Sequence, residues 1–164
     1  MKNKIAFTLI ALLLAFGCDY DPEAHNGPAH KLVPDPRAEK MWGSDLAAAQ
    51  ARAKTSGKLV FIDFTGSDWC PPCIALHDNV LTQPEFLDYA DKNLELVEID
   101  FPRNKPLNAP VELANKTLAG IYNVQSFPTL IVMDATGKIL HRHEGYGRKN
   151  AKAFTADLKA TLGR

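Results

Sequence analysis

The sequence has no excess charge of either sign. Lysine and arginine together number 19, as do aspartate and glutamate, so the formal net charge is zero. Nucleic-acid binding requires a concentrated basic face, and long-range steering of a charged partner requires a net field. The composition therefore gives no support for a nucleic-acid partner. With 46% hydrophobic residues, the 164 residues are instead typical of one folded domain with a core.

Cysteine is scarce, and a second closely spaced cysteine pair is missing. The three cysteines are Cys18, Cys70 and Cys73, so one pair is accompanied by one isolated residue. A structural zinc site usually needs four ligands, for example two such pairs. We therefore expect no structural zinc ion, and no motif indicates a nucleotide, a flavin or any other cofactor.

The sequence also lacks an apolar run long enough to span a membrane comfortably. Residues 5–16 are apolar except for Thr8, whereas spanning takes about 20 apolar residues. Lysines precede this run, and the small residues Ala15 and Gly17 lead to Cys18. The pattern predicts an export signal over residues 1–17, with an uncleaved anchor as a second interpretation.

The cysteine that directly follows this run resembles the lipidated cysteine of bacterial lipoproteins. That motif usually carries leucine three residues before the cysteine and a small residue two before, where this chain has Ala15 and Phe16. The resemblance implies that Cys18 is lipidated on sulfur, becomes the new N-terminus and anchors the protein to a membrane. An ordinary cleaved signal would instead leave Cys18 as a free thiol in an oxidising compartment.

The segment after Cys18 shows no apolar period. Residues 18–40 contain four prolines among polar residues, which is typical of a semi-extended tether. We therefore expect a flexible tether over residues 18–40 and a single folded domain over residues 41–164. His25 and His30 in the tether are only a weak metal site, because zinc usually takes further protein ligands.

Hydrophobic patterns after residue 41 predict alternating helices and strands. Helices are expected over residues 46–55 (with Ser44 as N-cap), 70–81, 84–89, 111–119 and 150–162. Strands are expected over residues 58–64, 94–100, 129–133 and 138–143. This order predicts an α/β fold with a central mixed sheet of about four to five strands and helices on both faces.

The motif Cys70-Pro71-Pro72-Cys73 lies between a predicted strand and a predicted helix. Two intervening residues at a helix start bring the sulfurs within bonding distance, and the helix N-terminus favours a thiolate at Cys70. We expect Cys70 to be accessible and Cys73 to be the more buried, resolving thiol. The motif predicts thiol–disulfide exchange through a redox-active Cys70–Cys73 disulfide. A buried Cys70 would instead favour a structural disulfide in a binding module.

The surroundings of this motif resemble the thioredoxin superfamily over about residues 41–162. The matching features are a strand that ends at residues 62–64, the motif at residues 69–73, and the segment 126–129 before another strand. The interval between Cys73 and Pro128 is longer than in thioredoxin, and no proline follows soon after Cys73. The pattern of residues 78–86 that stands there instead resembles the secreted bacterial group around the C-terminal domain of the membrane thiol:disulfide interchange reductase. The resemblance implies a thioredoxin fold.

The resemblance also implies roles for residues beside the cysteines. Pro128 would form a cis peptide bond and face the cysteine pair, and the backbone of Phe127 would pair with a substrate peptide. Trp69 and Pro71 would help to shape the substrate-binding surface. The alternatives are a trans turn proline at position 128 and a purely structural role for Trp69.

Asp63 matches the buried acid that lies beneath the resolving cysteine in this superfamily. Burial would raise its pKa and let it accept the Cys73 proton through water. One residue more than in thioredoxin separates Asp63 from Cys70. The alternative is an ordinary polar residue that is hydrogen-bonded at a strand end.

These implications together predict a thiol:disulfide oxidoreductase of the bacterial cell envelope. It would be a monomer that reduces disulfides in substrate proteins, such as those of apocytochrome c cysteines, and receives electrons from a membrane or periplasmic redox partner. A disulfide oxidase or isomerase is the alternative function, because the direction of electron flow depends on the reduction potential of the cysteine pair. A further alternative is a copper-handling chaperone that binds the metal with the cysteine pair and His141 or His143. We expect the side chains of these two histidines to point to opposite faces of their strand.

Overall fold

The computed structural model describes residues 32–164 of the chain. The predictions for the export signal, Cys18, His25 and His30 therefore concern residues outside the described range. Among the helices within residues 32–164, none is both long enough and apolar enough to cross a bilayer.

A five-stranded mixed sheet lies at the centre of the described domain. In spatial order its strands are β1 (Trp42–Gly43), β3 (Leu94–Asp100), β2 (Leu59–Thr65), β4 (Thr129–Met133) and β5 (Ile139–Glu144). The first three are parallel, whereas β4 runs antiparallel to β2, and β5 runs antiparallel to β4. The predicted fold class, a mixed α/β sheet of about four to five strands, is confirmed.

Helices cover both faces of this sheet. They are α1 (Ala38–Met41), α2 (Leu46–Ser56), α3 (Pro71–Leu76), a π-helical turn (His77–Leu81), α4 (Pro84–Asn93), α5 (Ala109–Ile121) and α6 (Ala151–Leu162). Residues of α3, the π-helical turn, α4 and α6 form a core on one face. Residues of α2 and α5 pack against the other face. The expected two-sided cover is therefore present.

The central strand β2 is buried at every position. Its residues alternate between the two cores: Leu59 and Phe61 belong to the core beneath α3, and Val60 and Ile62 belong to the core beneath α2. Because side chains two residues apart share a face, Asp63 lies on the same face as Phe61. The strand thus carries a carboxyl group into the interior beneath the helix that holds the cysteine pair.

Several helix limits differ from the sequence predictions. Asp45, and not Ser44, caps α2, because the Asp45 carboxylate accepts the backbone N–H of Ala48. Helix α5 begins two residues earlier than predicted, because Asn108 caps it and Pro110 fits its first turn. Helix α4 continues four residues beyond its predicted end at residue 89. The predicted helix over 70–81 changes to π-helical geometry over its last five residues.

Two short elements were not predicted. Helix α1 includes residues 38–40, which fall in the segment expected to be a tether, and Ala38 is buried in the core. Arg37 forms ion pairs with Asp35 and Asp88 just before this helix. Strand β1 has only two residues. Elements this short carry no hydrophobic period from which a sequence could predict them.

The expectation that His141 and His143 point to opposite faces is wrong. Both side chains line the same cavity between the sheet and α6. The physical reason is the two-residue period of a strand, which puts residues two apart on one face. These histidines therefore lie on the face that also carries Phe61.

Replacing a central aromatic residue tests this placement of the core. Phe61 is buried, and its ring centroid lies 5.4 Å from Phe86 and 6.1 Å from Trp42. We expect Phe61→Ala to lower the free energy of unfolding by about 3–5 kcal/mol in urea titrations of the oxidised protein. The control Leu113→Ala, at a side chain that is 67% exposed, should change it by less than about 0.5 kcal/mol. Equal effects would contradict the assigned core.

Candidate active site

Cys70 and Cys73 form a disulfide at the start of α3, with their Cα atoms 5.2 Å apart. Cys70 is the N-cap residue with an extended backbone. Its N–H donates to the carbonyl of Gly66 at 3.0 Å, and its own carbonyl accepts the N–H of Ile74 at 3.0 Å. The backbone of Cys70 is therefore hydrogen-bonded both to the preceding turn and to the following helix. The predicted disulfide between the two cysteines is present.

The two cysteines differ little in exposure. Cys70 is 4% exposed and Cys73 is 2% exposed, so the expectation of an accessible Cys70 is wrong for this disulfide form. Cys70 nevertheless borders an open groove, here called the cysteine groove, and Cys73 does not. The groove is lined by Trp69, Cys70, Pro71, Pro72, Val124, Gln125, Ser126 and Phe127. Because Cys70 borders this open groove, a partner can approach it from there, so the low exposure of Cys70 does not by itself favour the alternative of a structural disulfide.

The two prolines change the hydrogen-bonding capacity of the helix start. Pro71 and Pro72 occupy the first two positions of α3, and proline has no backbone N–H. Cys73 is therefore the first residue of the helix with a donor. Fewer N–H groups are available to a Cys70 thiolate than at an ordinary helix N-terminus.

Phe127 and Pro128 directly precede β4, and the resemblance predicts that Pro128 faces the cysteine pair. The peptide bond between these two residues is cis, so the prediction of a cis proline at position 128 is confirmed. Pro128 is buried, and its carbonyl accepts the N–H of Gly145 at 2.8 Å. Phe127 is half-buried and lines the cysteine groove, as do Trp69 and Pro71. Their roles in binding a substrate stay predictions.

Three aromatic rings form a cluster beside the groove. The centroid of Phe127 lies 6.1 Å from that of Trp69 and 5.0 Å from that of Phe101. The indole N–H of Trp69 donates to the carbonyl of Phe101 at 2.7 Å. The Arg103 guanidinium lies over the indole, 3.6 Å from its centroid, an arrangement that attracts the cation to the ring face. Trp69 is therefore held by contacts from two other chain segments.

A glycine leaves room for this indole. A Cβ atom at Gly66 would lie 2.6 Å from Trp69 Cε2, closer than non-bonded carbon atoms approach. Any larger residue would displace the indole from Phe101 and Arg103. The packing of Trp69 thus explains why position 66 is glycine.

Asp68 attaches the loop over residues 101–108 to the active site. Its carboxylate accepts the backbone N–H groups of Arg103 at 2.9 Å and Asn104 at 2.7 Å. The bond from the Arg103 N–H is the main reason that the pKa of Asp68 lies below its ordinary value. The attachment is therefore present above the ordinary aspartate pKa and is lost as the pH falls through the lowered one.

Asp63 is buried under the cysteine-bearing helix, with 2% exposure. Its Oδ1 atom has no hydrogen-bond partner within residues 32–164. Burial, and secondarily the charges of Glu98 and Asp100, raise the pKa of Asp63 well above its usual value. The expected raised pKa is thus present, whereas the alternative of a fully hydrogen-bonded polar residue does not fit. Proton transfer from Cys73 stays a prediction.

Glu98 is a neighbour of Asp63 that the sequence analysis did not identify. It is the register partner of Asp63 on β3. Burial first, and then the charge of Asp100, raise the pKa of Glu98, whereas His77 lowers it. Asp100 itself accepts the N–H of Ser67 at 2.9 Å and its hydroxyl at 2.6 Å. A row of carboxyl groups therefore lies beneath the motif.

The two histidines considered as copper ligands lie in the cavity beside α6. Burial first, and then His143, lower the pKa of His141. Neither cysteine lines this cavity. Within the described part of the chain, no three His, Cys, Asp or Glu side chains are grouped as they would be around a metal ion. The geometry therefore gives the copper alternative no support.

The attachment by Asp68 can be tested with trypsin, because one of the two N–H groups that it binds belongs to the Arg103–Asn104 peptide bond and the other lies on the residue just before it. We expect Asp68→Ala to speed cleavage after Arg103 about tenfold under native conditions, since two hydrogen bonds that oppose local opening are lost. Mass spectrometry of the fragments measures the rate. Asp91→Ala, at an exposed position, is the control; equal cleavage of the two variants would contradict the assigned attachment.

Comparison with known proteins places this site among disulfide reductases and related oxidoreductases. The disulfide bond reductase DsbH of Chlamydia pneumoniae is 35% identical over 157 residues, which cover 96% of this chain and 93% of the relative. The solved structure of a DsbH oxidoreductase has a TM-score of 0.71 at 31% identity and covers 84% of this chain and 90% of its own.

A more distant structure shares the fold alone. The C-terminal domain of DsbD from Neisseria meningitidis, solved in the oxidised form, has a TM-score of 0.54 at 24% identity, with coverage of 79% of this chain and 98% of that domain. The family model described as a thioredoxin-like domain matches residues 46–161, which include Asp63, the cysteine pair and Pro128. The chain therefore belongs to the thioredoxin-like domain family.

Proposed function

We propose that this protein is a thiol:disulfide oxidoreductase of the bacterial cell envelope that reduces disulfides in other proteins. The observation that carries the proposal is the Cys70–Cys73 disulfide at the start of α3, where Cys70 borders the cysteine groove together with Phe127, whose peptide bond to Pro128 is cis. A relative named as a disulfide bond reductase, similar over nearly the whole chain, supports the same activity.

The reaction would proceed in two exchange steps. In the reduced protein, the Cys70 thiolate attacks one sulfur of a substrate disulfide, forms a mixed disulfide and releases the first substrate thiolate. Cys73 then loses its proton and attacks the Cys70 sulfur, which closes the Cys70–Cys73 disulfide and releases the second substrate thiolate. The substrate gains two electrons and two protons. A dithiol on a redox partner must return the same number to this protein.

Asp63 would accept the proton of Cys73 in the second step. It lies in a buried strand beneath the helix that carries Cys73, and its Oδ1 atom is left without a partner among the described residues. Its raised pKa brings proton uptake closer to the working pH of such a base. One water molecule could bridge the carboxyl group and the thiol, as the superfamily resemblance implies.

The two prolines support the reductive direction over the oxidase or isomerase alternative. A strongly oxidising pair is one whose reduced form is stabilised, and hydrogen bonds to the thiolate provide such stabilisation. Here the first two positions of α3 offer no N–H donor. The reduced Cys70 thiolate is therefore less stabilised, which favours electron donation.

The proposed location follows from the N-terminal sequence. Residues 1–17 carry the pattern of an export signal, and Cys18 carries that of a lipidated residue. We propose that the exported protein is a membrane-anchored monomer with a tether that begins at Cys18. A dithiol on a membrane or periplasmic partner would then reduce the Cys70–Cys73 disulfide again. The substrates would be exported proteins with disulfides, such as apocytochromes c.

The reduction potential of the Cys70–Cys73 pair tests the proposed direction. We expect equilibration with glutathione or dithiothreitol to give a value near that of thioredoxin, roughly −270 mV, because the thiolate lacks stabilising donors. Cys70→Ser provides the blank. A value near roughly −120 mV would reverse the direction to an oxidase, and a pair that does not titrate would remove the enzyme assignment.

Removing the anchor residue tests the proposed location. In bacterial cells that produce the full chain, wild-type protein should sediment with the membranes, and Cys18→Ala should move most of it to the soluble exported fraction, because the acyl chains are lost. The control Cys70→Ser removes a different cysteine and should remain in the membrane fraction. Membrane attachment of both variants would contradict lipidation at Cys18.

A further inference from the structure

We propose that Glu98 is the solvent-side partner of Asp63, and that the proton of Cys73 leaves the protein through Asp63 and then Glu98. This inference rests on the proposed oxidoreductase function. Glu98 would be a positioning residue, because it acts through Asp63.

The first observation is the pairing of β2 with β3. Asp63 and Glu98 are register partners on these parallel strands. Register partners on adjacent strands point to the same face, and the strands lie about 4.8 Å apart. The two carboxyl groups are therefore neighbours on the face beneath the cysteine-bearing helix.

The second observation is the isolation of Asp63. The residue is 2% exposed, and Oδ1 has no hydrogen-bond partner within the part of the chain that the structure describes. A buried carboxyl group that gains a proton in each cycle must lose it again before the next. Because Asp63 has almost no contact with solvent of its own, it needs a neighbouring group to exchange protons.

Glu98 has the exposure that such a group requires. Leu96 precedes it on the same face of β3 and is buried, whereas Glu98 is only partly buried. The neighbouring edge strand β1 ends at Gly43, opposite Val97. Glu98 therefore lies just beyond the end of the edge strand, near Asp63 and open to water on its other side.

The other groups on this face are less suited to the role. Both oxygens of Asp100 are occupied by the N–H and hydroxyl of Ser67. His77, on the π-helical turn, faces Glu98 and lowers the pKa of that carboxyl group. The His77 side chain is 46% exposed and is paired with Asp78. His77 lies on a helical turn and does not neighbour Asp63 in the sheet.

Two adjacent carboxyl groups in a low-dielectric setting bind protons as a pair. A negative charge on Glu98 raises the proton affinity of Asp63, since like charges oppose ionisation. When Cys73 transfers its proton to Asp63, the net charge of the two carboxyl groups rises by one. Transfer of that proton from Glu98 to water restores the starting charge, so no electron or further reactant is needed.

The test separates the two exchange steps. Reduced full-length protein is mixed with a symmetric aromatic disulfide whose thiolate product is coloured. The first equivalent of thiolate appears when Cys70 attacks, and the second appears when Cys73 displaces the aromatic thiol from Cys70. Stopped-flow measurement of both phases across the pH range then isolates the step in which Cys73 loses its proton.

We expect Glu98→Gln to leave the first phase unchanged and to alter the second in two ways. Its plateau rate should fall about tenfold, because the exit for the proton is lost. Its pH midpoint should fall by about one unit, because Asp63 loses a neighbouring negative charge and ionises at lower pH. Glu98→Asp, which keeps the carboxyl group, should return the midpoint towards the wild-type value.

Glu95→Gln is the matched control. Glu95 lies on the same strand but on the opposite face, where it pairs with Arg52, so this variant should keep the wild-type profile. A Glu98→Gln profile that superimposes on the wild type would overturn the inference. If Asp63→Asn still slows the second phase, the proposed function stands. A wild-type protein that releases no second equivalent would overturn the proposed function itself.

A direct measurement covers the case in which Glu98→Gln does not fold. Carbon-13 NMR of the side-chain carboxyl groups in wild-type protein follows the titration of Asp63 and Glu98 individually. Coupled residues should both show the same two midpoints. A single-step titration of Asp63 that is independent of Glu98 would overturn the inference.

Discussion

The complete burial of β2 is the constraint on which the site depends. Two strands flank it and helices cover both faces, so every residue from Leu59 to Thr65 is shielded from water. This burial gives Asp63 a proton affinity that an exposed aspartate lacks. The same strand runs directly into the turn that places Cys70 at the start of α3. One buried strand thus sets both the position of the sulfur atoms and the electrostatics beneath them.

The surface of the site depends instead on contacts between distant loops. Asp68 holds the backbone of the loop over residues 101–108, and that loop in turn holds Trp69 through Phe101 and Arg103. Phe127 completes the aromatic cluster next to the cis proline. The groove beside Cys70 is therefore bordered by contacts that join three separate segments of the chain.

The sequence predicted those parts of the protein that rest on local patterns. The limits of β3 and β4 coincide with the predicted ones, since their apolar runs are sharply bounded, and the cysteine motif identified the reactive pair. Glu98 and Arg103 were missed because their significance depends on strand register and loop packing between residues far apart in the chain. The prediction that Cys70 is accessible was wrong for the same reason. The exposure of Cys70 depends on segments such as 124–127 that pack around the groove.

The placement of the two tryptophans has an optical consequence. Trp69 directly precedes the cysteine pair and is half-buried at the groove, whereas Trp42 stacks against Phe86 in the core beneath α4. A disulfide quenches the emission of a nearby indole, and a distant indole is unaffected. The chain therefore contains a natural fluorophore beside its redox centre and a second one as an internal reference, so the colourless change from disulfide to dithiol can be followed by light emission without any label.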